Sequence, residues 1–170
     1  MHKLLIRAAM MSAAFAAPAR AEHAGANAVY ERMQAAVAAA DPAPVLETVY
    51  APEATYLPGG KEMGIDRRET VLKMMVGSQR HLRQAGGALD MKFRLVDRKR
   101  FGDVYVDNGY MRTVIRPNKD APEQVRYGKF VTVIAKQPDG SWAFVTDADS
   151  DTPAANFDNA KPVAGLKFDR

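Results

Sequence analysis

A chain of 170 residues, 47% hydrophobic and 26% charged, has room for one well-buried core and lacks the composition of a disordered, collagen-like or disulfide-stapled protein. With no cysteine present, disulfides, thiolate metal sites and cysteine nucleophiles are excluded. The formal charge of +4 does not point to nucleic acid, because Lys3, Arg7 and Arg20 account for three of the four excess charges and all lie in the first 21 residues.

Those first residues read as an export signal. Lys3 and Arg7 precede a small apolar run at 8–17, which Pro18 ends before the tripeptide Ala19-Arg20-Ala21. The run is too short to anchor the chain in a bilayer, so cleavage after Ala21 is expected, leaving a periplasmic or secreted protein with no membrane anchor. The expected division is 1–21 signal peptide, 22–152 folded domain and 153–170 C-terminal extension.

From Asn27 the pattern is helical, with Val29, Met33, Ala36, Val37 and Ala40 on one face and Asp41-Pro42 as the stop. A short second helix restarts near Ala43, carrying Val45, Leu46, Val49 and Tyr50, and Pro52 closes it. Residues 54–57 form a short strand before the Pro58-Gly59-Gly60 loop. Asp66 and Glu69 have capping-box spacing ahead of a long helix whose inner face is Val71, Leu72, Met75, Val76, Gln79 and Leu82, with Gly86-Gly87 as its end.

Beyond Gly87 the period becomes alternating. Four strands are expected at about 88–99, 104–116, 124–136 and 141–150, joined by short turns into an antiparallel meander. Pro138-Asp139-Gly140 is a strong turn signal, and Gly109 inside a long strand marks a bend. Helices first and strands last give an α+β domain whose strongly curved antiparallel sheet wraps around the N-terminal helices, leaving a hollow. The tail from residue 153 has no clear period and is expected to be a partly ordered extension.

The order helix, short helix, strand, long helix and four curved strands resembles the nuclear transport factor 2-like superfamily, which includes SnoaL-like and ketosteroid isomerase-like proteins. The resemblance covers residues 27–151 and is carried by Ala40-Asp41, residues 45–50, Pro52-Glu53-Ala54-Thr55-Tyr56, Phe101-Gly102-Asp103-Val104, and Asp139-Gly140-Ser141-Trp142-Ala143-Phe144 running on to Asp149. It implies a cone-like, cystatin-like roll and leaves the activity open. Matched through Asp41 and Ala54-Thr55, Met33 and Pro58 stand where ketosteroid isomerase has its tyrosine and aspartate. Neither side chain moves a proton, so the resemblance does not extend to that mechanism.

Asp147, Asp149 and Asp151 alternate at the end of the last strand, where enclosure and mutual repulsion would raise a carboxyl pKa into the range of a useful acid or base. Asp147 and Asp149 are the catalytic candidates, against the alternative of a solvated strand end. Tyr56, Tyr110 and Tyr127 are candidate ligand contacts through their hydroxyls, and Tyr105 and Tyr110 must face opposite sides. Arg112 shares the parity of Tyr110 and would pair with a ligand carboxylate if that face is concave; Lys129 is placed similarly, and Thr132 is a candidate on the opposite parity. His81 reads as a helix-terminal surface residue, and no metal site is expected. Met63, Met74, Met75, Met91 and Met111 read as core or as the wall of a lipophilic pocket.

Three functions fit this pattern. The first is an exported binder of a small lipophilic or carbonyl-bearing ligand, with no cofactor and no nucleic-acid partner. The second is a cofactor-independent acid–base enzyme of the isomerase, cyclase or dehydratase type. The third is a structural module that forms a homodimer through the sheet.

Overall fold

The computed structural model describes residues 23–60 and 63–169. The expected signal peptide and its cleavage point lie outside them. In chain order the elements are α1 (Ala24–Ala38), α2 (Ala43–Val49), β1 (Tyr50–Leu57), β2 (Asp66–Arg67), α3 (Arg68–Gln84), β3 (Ala88–Phe101), β4 (Val104–Arg116), β5 (Gln124–Lys136), β6 (Trp142–Asp151), α4 (Ala154–Asp158) and β7 (Lys167–Phe168).

Helix α1 buries Val29, Tyr30, Met33, Ala36 and Val37, the spacing of a single helical face. It starts at Ala24 rather than Asn27, because the Asn27 amide already bonds back to the His23 carbonyl at 2.9 Å. Asn27 is a buried helical residue whose side chain accepts from Arg98 at 2.6 Å. Tyr50, expected on α2, opens β1 instead, and that strand runs through Pro52. Proline is tolerated there because the pairing of β1 with β6 lapses between Tyr50 and Thr55, where no ladder donor is required.

The expected capping box at Asp66 and Glu69 does not form. Asp66 pairs with Tyr56 in a two-residue strand, and Arg67 precedes α3 without a side-chain cap. The other end of α3 behaves as its sequence indicates. Gly86, at φ +76°, donates to the Arg83 carbonyl at 2.9 Å, and Gly87 donates to the Leu82 carbonyl at 2.8 Å. These are the two bonds of a Schellman motif, which needs a residue free to adopt positive φ.

The sheet order is β2-β1-β6-β5-β4-β3-β7, an unclosed sheet. Strands β3 to β6 form the antiparallel meander, while β1 joins β6 in parallel. Two bulges interrupt the alternation, at Val96 of β3 and around Val145 of β6. Each inserts one residue and so reverses which parity of the strand faces inward.

The core lies between α1 and the concave face. Tyr30 is fully buried, with its ring 5.2 to 6.1 Å from those of Phe93, Phe130, Phe144 and Phe168. The tail, expected to be a partly ordered extension, contributes buried residues to the fold. Strand β7 adds to β3, Leu166 and Phe168 are buried, and Phe157 of α4 packs on Tyr127 on the outer side of the sheet. Its lack of sequence period follows from its construction, since one turn of helix, a loop and two strand residues are too short to show any repeat.

Candidate functional site

A hollow of about 130 Å³ remains between the concave face and helices α1 and α3. Tyr30, Phe93, Phe130 and Phe144 supply its aromatic wall, and Met33, Met91 and Met111 extend the apolar surface. Val71, Met74 and Met75 close it from α3; Met74 is 46% exposed and stands at the rim. Its polar groups are Asp147 and Asp149 of β6, Thr132 of β5, and the phenols of Tyr30, Tyr50 and Tyr56.

The bulge in β6 is what turns the carboxyls inward. Phe144 faces the core opposite Ile134, and without an inserted residue the next inward positions would be Thr146 and Ala148. The extra residue instead sets Asp147 opposite Thr132 and Asp149 opposite Phe130, both inward-facing positions of β5. Because β1 lies beside β6, its tyrosines reach these carboxyls. The Tyr50 hydroxyl donates to Asp147 Oδ2 at 3.0 Å, and the Tyr56 hydroxyl donates to Asp149 Oδ1.

Asp147 is half-buried in the wall of the hollow. Burial, aided by the neighbouring Asp149 charge, lifts its pKa to about 7 against the downward pull of the Tyr50 hydrogen bond. Asp149 is raised as well, chiefly by burial, with Tyr56 opposing and Asp151 adding. The phenols of Tyr50 and Tyr56 are pushed up by burial and by the same carboxylates, which keeps them protonated donors.

A second polar network stands behind the wall. Arg98 makes a two-pronged bridge to Asp107, both bonds at 2.7 Å, and these side chains are 3% and 0% exposed. The bulge at Val96 places Arg98 directly opposite Asp107. Tyr30 donates to Asp107 Oδ2 at 2.9 Å and lies 2.7 Å from Thr132 Oγ1. A charge pair this well enclosed and hydrogen-bonded fixes the Tyr30 ring from its far end.

Of the residues singled out in the sequence, Tyr56, Thr132, Asp147 and Asp149 meet at the hollow. Tyr110, Arg112 and Tyr127 do not. On β4 the inward positions are Tyr105, Asp107, Gly109 and Met111, so Tyr110 and Arg112 project from the opposite face. Tyr127 also faces outward, with its ring 5.9 Å from Phe157. The site residues that sequence reasoning missed are Tyr30 and Tyr50. Tyr30 sits one position beyond Val29 on the helical face already identified, whereas Tyr50 was hidden by its assignment to a helix. Among the described residues no cluster of histidine and carboxylate side chains is arranged to hold a metal ion.

No protein-family model and no curated protein sequence matches the chain. Solved structures do match it in shape. A nuclear transport factor 2-like superfamily protein from Salmonella enterica superposes with a TM-score of 0.63 at 15% identity, covering 87% of this chain and 98% of that one. An NTF2-like protein with a cystatin-like fold from Novosphingobium aromaticivorans gives 0.59 at 15% identity, covering 80% and 86%. A protein from Catenulispora acidiphila, in complex with S-DNPA, gives 0.61 at 13% identity, covering 77% and 93%. The fold is therefore nuclear transport factor 2-like, an α+β architecture whose curved, mostly antiparallel sheet packs against the N-terminal helices.

Proposed function

We propose that the chain binds a small, mostly apolar molecule in the hollow and holds its polar end at the Asp147–Tyr50 and Asp149–Tyr56 pairs. One observation carries this reading: a mostly apolar space that the protein's own side chains leave unfilled has two carboxyl–phenol pairs in its wall. A volume of about 130 Å³ is near that of cavities known to accept one aromatic ring, which sets the size of the guest. The S-DNPA complex formed by a protein of similar shape supports the same use of the fold.

The test is thermal stabilisation by a panel of single-ring compounds, repeated with Met111→Trp, which fills the hollow. Stabilisation of the parent protein that vanishes in the variant is the expected result. Equal stabilisation of both would place the binding elsewhere and end this reading.

The position of Asp147 near neutrality favours a second reading, in which it exchanges a proton with the bound molecule. Asp147-dependent exchange of the α-hydrogens of cyclohexanone in heavy water would support it. Exchange no faster than in buffer would remove it.

Export is likewise proposed, on the pattern of residues 1–21. N-terminal sequencing of the protein recovered from the periplasm or medium should begin at Glu22, and a retained Met1 would refute cleavage.

A further inference from the structure

We infer that the ligand of the hollow is a small lipophilic amine, held as its ammonium ion between the two carboxyls and the aromatic wall. This rests on the reading of the hollow as a ligand site and deepens it from the hydrogen atoms available there.

Each phenol at the site has one proton to donate, and each is committed. Tyr50 gives its proton to Asp147, Tyr56 to Asp149 and Tyr30 to Asp107. With the Tyr30 proton used, the 2.7 Å contact between Tyr30 and Thr132 requires Thr132 to be the donor. Thr132 therefore offers the hollow lone pairs alone. With its carboxyls ionised, the polar end of the site is a set of acceptors: two carboxylates and a threonine oxygen, with Asp147 and Thr132 directly opposed across β5 and β6.

With Asp147 ionised, a carbonyl placed there would meet acceptors without a donor and lose its hydrogen bonds to water, a loss that burial makes costly. An ammonium group reverses each of those terms. It has three donors for the three acceptors, and its charge answers carboxylates that face no counterion, since no lysine, arginine or histidine lines the hollow among the described residues. The aromatic rings of Tyr30, Phe93, Phe130 and Phe144 and the polarisable methionine sulfurs complete a lining that accommodates an organic cation.

The groups facing Asp147 set the pH response. They are Tyr50 and Tyr56 from β1, Asp149 from its own strand, Thr132 from β5 and Tyr30 from α1, with Asp66 acting on Tyr56 and Asp151 on Asp149. All are acidic or neutral. An ammonium ion must displace the proton that Asp147 holds below neutrality, so its affinity rises with pH. A carbonyl would need that proton to remain, and its affinity would fall.

Calorimetric titration of the purified protein with cyclohexylamine and with cyclohexanone, at pH 6 and pH 8, separates the possibilities. The two rings match in size and differ in the polar group. The expected result is that cyclohexylamine binds at least about tenfold more tightly than cyclohexanone at pH 8, with a smaller margin at pH 6. Asp147→Asn and the more accessible Asp149→Asn should each reduce amine binding by about tenfold while cooperative thermal unfolding is retained.

Preference for cyclohexanone at both pH values would overturn the amine inference and leave the hollow as a binding site. Absence of binding by either ring would overturn both. Amine binding unchanged in both variants would show that it occurs outside the hollow and would also defeat the inference.

Discussion

The carboxyl of Asp147 is balanced between burial, which favours its neutral form, and the Tyr50 phenol, which favours the ion. Tyr50→Phe removes only the second influence, so the Asp147 pKa should rise further above about 7, as read by carboxyl NMR titration. The same imbalance sets a pH dependence of stability. With an ordinary value of 3.8 and a folded value of about 7, Asp147 is protonated in the fold and ionised in the unfolded chain between these limits. The fold therefore binds the extra proton, and this group's contribution to stability falls as pH rises through that window and levels off above it. Asp147→Asn should raise stability by about 2 kcal/mol at pH 8 and by little at pH 4, measured as the difference in chemical unfolding.

At the scale of single elements, the bulge in β6 decides what the hollow contains. Deleting Val145 restores plain alternation, so Asp147 and Asp149 should turn to the outer face and stabilisation by single-ring compounds should disappear, while circular dichroism keeps its α+β signature. This feature also marks how far the sequence could be read. The face of α1, the body and glycine stop of α3, and the four-strand meander are local patterns of period and turn chemistry, and all are visible along the chain. Asp147 and Asp149 stood out as alternating acids at a strand end. A bulge, however, is a relation between two strands, and nothing within residues 142–151 announces it. For the same reason Tyr110 and Arg112 read as ligand contacts although they lie on the outer face, because parity separates two faces without saying which one the helices cover. Tyr50 was obscured by Pro52, which reads as a helix terminator and is in fact an unpaired residue within β1.

At the scale of the whole molecule, the tail holds the open end of the sheet. The Gln34 side chain donates to the carbonyls of Met91 and Phe168 at 2.8 and 2.9 Å, and Arg94 donates to the Phe157 carbonyl at 2.8 Å while stacking over the Phe157 ring at 4.2 Å. Removing residues 153–170 deletes the buried Phe157, Leu166 and Phe168 together and uncovers the side chains they pack against. Loss of a single buried phenylalanine costs about 3–5 kcal/mol, comparable to much of a small domain's stability. The truncated chain should therefore fail to unfold cooperatively in a thermal scan, and a sharp transition near that of the parent would show the tail to be dispensable.

Gln34 and Phe168 are 134 positions apart, and the two carboxyl–phenol bonds join residues 97 and 93 apart. During synthesis, α1 and β1 emerge long before the partners that will cover them, and no early subset of the chain can assemble the chemistry at its centre. Closure of the hollow is accordingly a late event, which waits until the last strand and the tail are free to fold back over what came first.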